Sequence, residues 1–135
     1  NRKYPHERGM VWEEKNAIYK HTIKCSGLKC INLNKIRDRK FKVVIDAVNG
    51  AGANALPEML DLLGCNVVKL DCEPSGIFKR GTEPLPNNLS ELSKRVLDNK
   101  ADIGFAVDPD ADRLAVVDEK GRPLGEEYTL VLSAD

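Results

Sequence analysis

Between residues 41 and 118, apolar positions come in short blocks that switch between two spacings. "FKVVID" (41–46) is a continuous β-branched run, the mark of a strand buried on both faces. "ANALPEMLDLLGC" (53–65) puts Ala55, Met59, Leu62 and Leu63 at helical spacing and stops at Gly64, a favoured residue just past a helix. "NVVKLD" (66–71) reads as a second strand, and "CEPSGIFKRGTEPLP" (72–86), rich in Pro and Gly, as an ordered loop. "NNLSELSKRVLDNK" (87–100) starts at an Asn cap and carries Leu89, Leu92, Val96 and Leu97 on one side of a second helix. "ADIGFAV" and "RLAVVD" are further strands separated by five residues. A link that short holds no parallel crossover, so these two form an antiparallel hairpin, with "EKGRP" as the next turn. The order β-α-β-α-β-β predicts an α/β fold: a three-layer α/β/α sandwich around a mixed, mostly parallel four-stranded sheet that ends in an antiparallel hairpin.

Residues 1–40 are less regular. "WEEKNAIYKHTIKC" (12–25) predicts a loosely amphipathic helix with Trp12, Ile18, Tyr19 and Ile23 near one another, and "SGLKC" breaks it. "LNKIRDRK" then leads into the core as a polar linker. The chain opens on Asn without an initiator Met and stops as a new apolar segment begins, so it reads as a piece of a longer protein.

Composition narrows the class. With 135 residues, 41% apolar and 31% charged, the chain is long enough to bury a core and reads as globular. Twenty-one basic residues balance twenty-one acidic ones, which argues against nucleic acid as a partner. Neither a membrane-spanning run nor a secretory signal stands out, so no membrane partner is expected and the expected location is cytoplasmic. His21, Cys25 and Cys30 are possible zinc ligands, but no CxxC pair occurs. Cys25, Cys30, Cys65 and Cys72 read as reduced thiols.

The candidate chemistry sits between the last two strands. Asp108, Asp110 and Asp112 alternate and are followed at once by Arg113. In extended backbone, residues two apart point the same way, so the three carboxylates converge if the segment curls around one point. Crowded carboxylates repel, and an all-oxygen set suits a hard divalent cation, Mg²⁺ or Ca²⁺. The bland alternative is a solvated turn tip. An EF-hand register fails because Arg113 stands where Gly is needed and the flanks are strands. Beside a cation, the Arg113 guanidinium calls for an anion between them, and a phosphate is the natural one. Asp46 and Asn49, at the carboxyl end of the first strand, lie on the sheet edge where ligands of open α/β sheets bind, and are candidates to support the site.

A competing reading uses Gly50, Gly52 and Ala55, which spell G-x-G-x-x-A before a helix, with Asp71 about 20 residues on. That outlines a dinucleotide site. Its flaw is "DAVN" between the strand and the first glycine, and it leaves three aspartates without a role.

Three stretches, "FKVVIDAVNGAG", "EPSGIFKRGTEPLPNNL" and "ADIGFAVDPDADRLAVVDEKGRPLGEEYTL", together resemble the second domain of the α-D-phosphohexomutases, the family of phosphoglucomutase, phosphomannomutase and phosphoglucosamine mutase. In that family the loop written D-G-D-[GA]-D-R binds Mg²⁺. The resemblance therefore implies Asp108, Asp110 and Asp112 as metal ligands and Arg113 near the phosphoryl group of a phosphoserine, with Pro109 where Gly is common. It implies an isomerase that moves a phosphoryl group between the 1- and 6-positions of a hexose or hexosamine phosphate through a phosphoserine enzyme and a bisphosphate intermediate. The partners implied are the sugar phosphate and the other domains of the same polypeptide. On this reading residues 1–40 are the tail of the preceding domain and a linker helix, 41–122 the metal-binding domain, and 123–135 the start of the next domain. No stretch matches the family's phosphoserine loop, sugar-recognition loop or phosphate-binding loop, so this chain alone is expected to be inactive. A non-catalytic divalent-cation module is the remaining alternative.

Overall fold

The apolar block at 42–46 becomes the sheet's central strand. In a computed structural model that describes residues 10–125 and 127–134, β1 (Lys42–Asp46) is buried from Val43 onward. β2 (Asn66–Leu70) pairs parallel to one side of it, in register from Lys42 opposite Asn66 to Asp46 opposite Leu70. β3 (Ile103–Val107) pairs parallel to the other side, and β4 (Leu114–Val117) runs antiparallel to β3 with Val107 opposite Leu114. The strand order is β2-β1-β3-β4. The mixed sheet and closing hairpin are those expected from the element order.

Because β2 and β3 flank β1, the two parallel crossovers run in opposite directions. Right-handed crossovers then place their helices on opposite faces. Two separate core clusters record this. On one face Leu92 and Val96 of α4 (Ser90–Asn99) pack with Leu89, Val44, Ala106, Ala115 and Val117. On the other, Ala53 and Leu56 of α3 (Gly52–Leu62) pack with Ala47, Val107 and Leu114. The reversal of winding falls between the carboxyl ends of β1 and β3, the position where open α/β sheets bind ligands.

Three local expectations change. "LNKIRDRK" is not a linker: it forms α2 (Leu33–Arg39). The Asn32 side chain caps it by accepting from the Lys35 amide at 3.0 Å. Arg37 ties it to the end of α3, donating Nε and Nη2 to the Leu62 carbonyl at 3.1 and 2.8 Å. Cap and carbonyl contacts thus replace an apolar stripe. The first helix, α1 (Ala17–Ser26), packs on α3 but begins five residues after Trp12, which is 79% exposed. The expected Asn cap of α4 is also absent. A 3₁₀ turn at Pro86–Asn88 precedes the helix, Leu89 holds the cap position, and Asn88 donates to the Glu83 carbonyl instead. Gly64 does end α3, in the left-handed conformation at φ +77°.

The last element, α5 (Glu127–Ala134), rests on β4 through Thr129, whose hydroxyl donates to the Leu114 carbonyl at 2.6 Å. Its Tyr128, Leu130, Val131 and Leu132 are exposed. No helix among the described residues is long and apolar enough to cross a membrane. All four cysteines are free. Cys25 Sγ lies 3.5 Å from His21 Nε2, and no third ligand joins them in a metal-binding group among the described residues.

Candidate metal centre

The loop that leaves β3 turns back within a few residues. The Ala111 amide donates to the Asp108 carbonyl at 3.1 Å, closing a turn, and Ala111 sits at φ +61°. Asp108 organises it. Its Oδ1 accepts the amides of Asp112 and Arg113, each at 3.1 Å. With one oxygen held by the backbone, the other, Oδ2, lies 3.7 Å from Arg113 Nε. The segment is therefore a side-chain-stapled turn rather than the extended stretch expected. Convergence survives by a different route: turn closure, not strand alternation, gathers the side chains.

Asp108, Asp110 and Asp112 each offer a carboxylate oxygen within 4.8 Å of the others. Oxygens around a six-coordinate Mg²⁺ at about 2.1 Å stand roughly 3 Å apart when adjacent. Asp108 is buried at the base, and Asp110 and Asp112 are exposed, so rotation of their side chains covers the difference. The donor set is all oxygen and anionic, which fits a hard cation. Opposed proton affinities mark the crowding. Burial pushes the Asp108 carboxyl up, but the Arg113 amide and its bonds with Asp112 and Asp110 outweigh burial and hold it low. The bond to Asp108, with repulsion from Asp110, drives Asp112 up. Three carboxylates this close do not ionise independently.

Arg113 flanks the cluster. Its Nε lies 3.7 Å from Asp108 Oδ2 and 3.9 Å from Asp112 Oδ1, and its Nη1 lies 3.4 Å from Glu83 Oε1. The side chain is 44% exposed and helps line an open cleft with Asp112, Leu114, Thr129 and Ser133. A fixed positive charge thus borders a negative cluster at a solvent-facing mouth.

Of the two residues expected to support the site, Asp46 reaches the aspartate loop through Arg80, and Asn49 holds a different loop. Asp46, 2% exposed, pairs its Oδ2 with Arg80 Nε at 2.6 Å and accepts the Val48 amide on Oδ1 at 2.8 Å. Burial raises the Asp46 carboxyl against the opposing pull of Arg80. Asn49 turns away from the aspartates. Its side chain accepts the Glu73 amide and donates to the Ile77 carbonyl, pinning the 73–77 loop. Arg80 escaped the sequence reading, yet it also donates Nη2 to the Val107 carbonyl at 2.6 Å, directly before Asp108. The signal available was Asp46 itself: a carboxylate ending a buried apolar strand needs a cationic or polar partner.

The glycine turn proves to be a buttress. A Cβ on Gly50 would lie 2.4 Å from the Pro109 carbonyl oxygen, and the Ala51 amide donates to that oxygen at 2.8 Å. A Cβ on Gly52 would meet Leu56 at 2.9 Å and Val107 at 3.2 Å. The start of α3 is packed against the aspartate turn, so the dinucleotide reading lacks the space a pyrophosphate needs. Gly50→Ala is expected to cost about 1–3 kcal/mol, the range for overpacking against immobile backbone, read by urea denaturation. A loss under a few tenths would show that the turn yields freely.

Residues 18–121 match the family model for phosphoglucomutase/phosphomannomutase, alpha/beta/alpha domain II. The chain belongs to that family. The probable phosphoglucosamine mutase of Methanosarcina acetivorans is 45% identical over 125 residues, covering 92% of this chain and 27% of that protein. The protein of the same name from Pyrococcus horikoshii is 48% identical over 93 residues, covering 69% of this chain and 20% of that protein. The crystal structure of a phosphoglucomutase/phosphomannomutase family protein from Burkholderia thailandensis superposes with a TM-score of 0.72 at 28% identity, over 87% of this chain and 25% of that one. This domain II accordingly spans about a quarter of the length of the proteins it resembles.

Proposed function

We propose that this chain supplies the Mg²⁺-binding aspartate turn of a cytoplasmic phosphohexomutase that interconverts the 1- and 6-phosphates of a hexosamine, through a phosphoserine and a bisphosphate intermediate. The convergence of Asp108, Asp110 and Asp112 at the winding reversal of a family domain carries the reading. Kinship with proteins named phosphoglucosamine mutase favours glucosamine phosphate over glucose and mannose phosphates. In this assignment residues 41–122 form the metal-binding domain, 1–40 lead in from a preceding domain, and 123–135 begin the next. The chain contains no counterpart of the family's phosphoserine loop, so alone it is inactive.

Bound Mg²⁺ would neutralise charge on the phosphoryl group in transfer. Asp108, Asp110 and Asp112 would hold it, with Asp108 fixed by the two amides on its Oδ1. Arg113, at the cleft mouth, would orient a phosphoryl oxygen as a preorganised donor. The other domains of the same polypeptide would bring the sugar phosphate to this edge.

The test uses the full-length polypeptide that carries this domain, stripped with EDTA and assayed on glucosamine, glucose and mannose phosphates. Activity is expected to vanish on stripping and return with Mg²⁺, with the highest kcat/KM on glucosamine phosphate. Failure to interconvert any of the three in saturating Mg²⁺ would overturn the proposal, and a preference for another sugar would overturn its substrate.

A further inference from the structure

The side chain best placed to set the geometry of the aspartate turn belongs to neither the turn nor the strands that flank it. Arg80 comes from the 72–86 loop and lies across the carboxyl ends of β1 and β3 with its side chain 11% exposed. Its Nη1 donates to the Gly81 carbonyl at 2.9 Å, which fixes the guanidinium plane to its own loop. Nε holds Asp46, and Nη2 holds the Val107 carbonyl.

These bonds bracket Asp108 on both sides. The carbonyl held by Nη2 forms the peptide unit that leads into Asp108. On the far side, Asp46 Oδ1 holds the Val48 amide, and Val48 and Asn49 adopt left-handed conformations at φ +47° and +56°. That shape delivers the Ala51 amide to the carbonyl of Pro109, the residue after Asp108. One guanidinium thus anchors the residue before Asp108 directly and the residue after it through a short relay of backbone. Such a fork needs the planar, multiply donating head of Arg; the ammonium of Lys is a point charge on a flexible stem.

We propose that Arg80 is a positioning residue for the cation site, setting the position of Asp108 through the Val107 carbonyl and the Asp46–Val48 relay without touching the cation. The inference rests on the metal reading of the turn. Groups that orient metal ligands from behind typically govern affinity by about 10–100-fold.

The experiment uses the full-length polypeptide and Mn²⁺ as a paramagnetic probe, with free Mn²⁺ counted by electron paramagnetic resonance and Tm recorded in parallel. Wild type is expected to bind Mn²⁺, Arg80→Met to bind it about 10–100-fold more weakly, and Arg80→Lys to fall between them. Val96→Ala, a core change on α4, serves as the stability control and is expected to lower Tm with unchanged Mn²⁺ affinity. If Arg80→Met does not fold, Arg80→Lys decides alone: weakened binding supports the role, and wild-type affinity overturns it. Equal affinity in wild type and Arg80→Met would overturn the positioning role and leave the metal reading standing. A parallel affinity loss in Val96→Ala would reduce the effect to general destabilisation and also overturn it. A wild type that binds no Mn²⁺ would overturn both.

Discussion

On the proposed mutase function, Asp108→Asn in the full-length polypeptide is expected to lower turnover by about 100- to 1,000-fold while leaving the fold intact. Asp108 has two separable duties. Oδ1 accepts the amides of Asp112 and Arg113, and Asn retains that carbonyl oxygen, so the turn stays closed. The other oxygen is the one the proposed function gives to the cation, and Asn puts an NH₂ group there, which cannot ligate. The magnitude follows from removing one preorganised charge-stabilising element from the site, ~2.7–4 kcal/mol. The measurement is kcat at saturating Mg²⁺ beside a thermal melt, with Tm held within a few degrees of wild type. Turnover within threefold of wild type would remove Asp108 from the ligand set. A collapse of Tm with the loss of turnover would show that the two duties are not separable.

Asp46→Ala is expected to cost about 3–5 kcal/mol of folding stability, the usual consequence of stranding one member of a buried ion pair. Arg80 would lose its carboxylate partner while remaining largely shielded from water. The Val48 amide, in a left-handed conformation that β-branched residues rarely tolerate, would lose its acceptor in the same step. Against a typical domain stability of about 5–15 kcal/mol, this is a large fraction. Urea denaturation should show a lowered midpoint with unchanged slope. Asp46→Asn, which keeps an oxygen for Val48, should fall between the two. A loss under ~1 kcal/mol for the alanine variant would mean that water replaces the carboxylate at little cost.

What the residue pattern conveyed, and what it hid, divides by the range of the forces involved. The four strands, α3 and α4 were readable because each has a periodic or continuous apolar block that must be buried. α2 was hidden because it has no such stripe and depends on Asn32 and on a carbonyl of α3. The aspartates stand out as a group in the sequence, but alternation predicts an extended segment, and it is a turn held by Asp108 that gathers them. Gly50 stood out as a glycine, but its reason lies almost sixty residues away, in the carbonyl of Pro109. Arg80 was one cation among many in a loop, and nothing local separates it from Lys79, which pairs with Asp71 at the surface.

The Arg80 fork also bears on the order in which the molecule comes together. It joins residues 34 and 27 positions apart in sequence, so it forms only after the loop from β2 has been laid across the sheet. Loop-closure entropy delays contacts of this span relative to helix formation and hairpin closure. The β3–β4 hairpin can therefore form early with its acidic tip loosely arranged, and the tip acquires its final shape among the last events of folding. Any pause in docking that loop would yield a chain with a complete sheet and an unfinished aspartate turn.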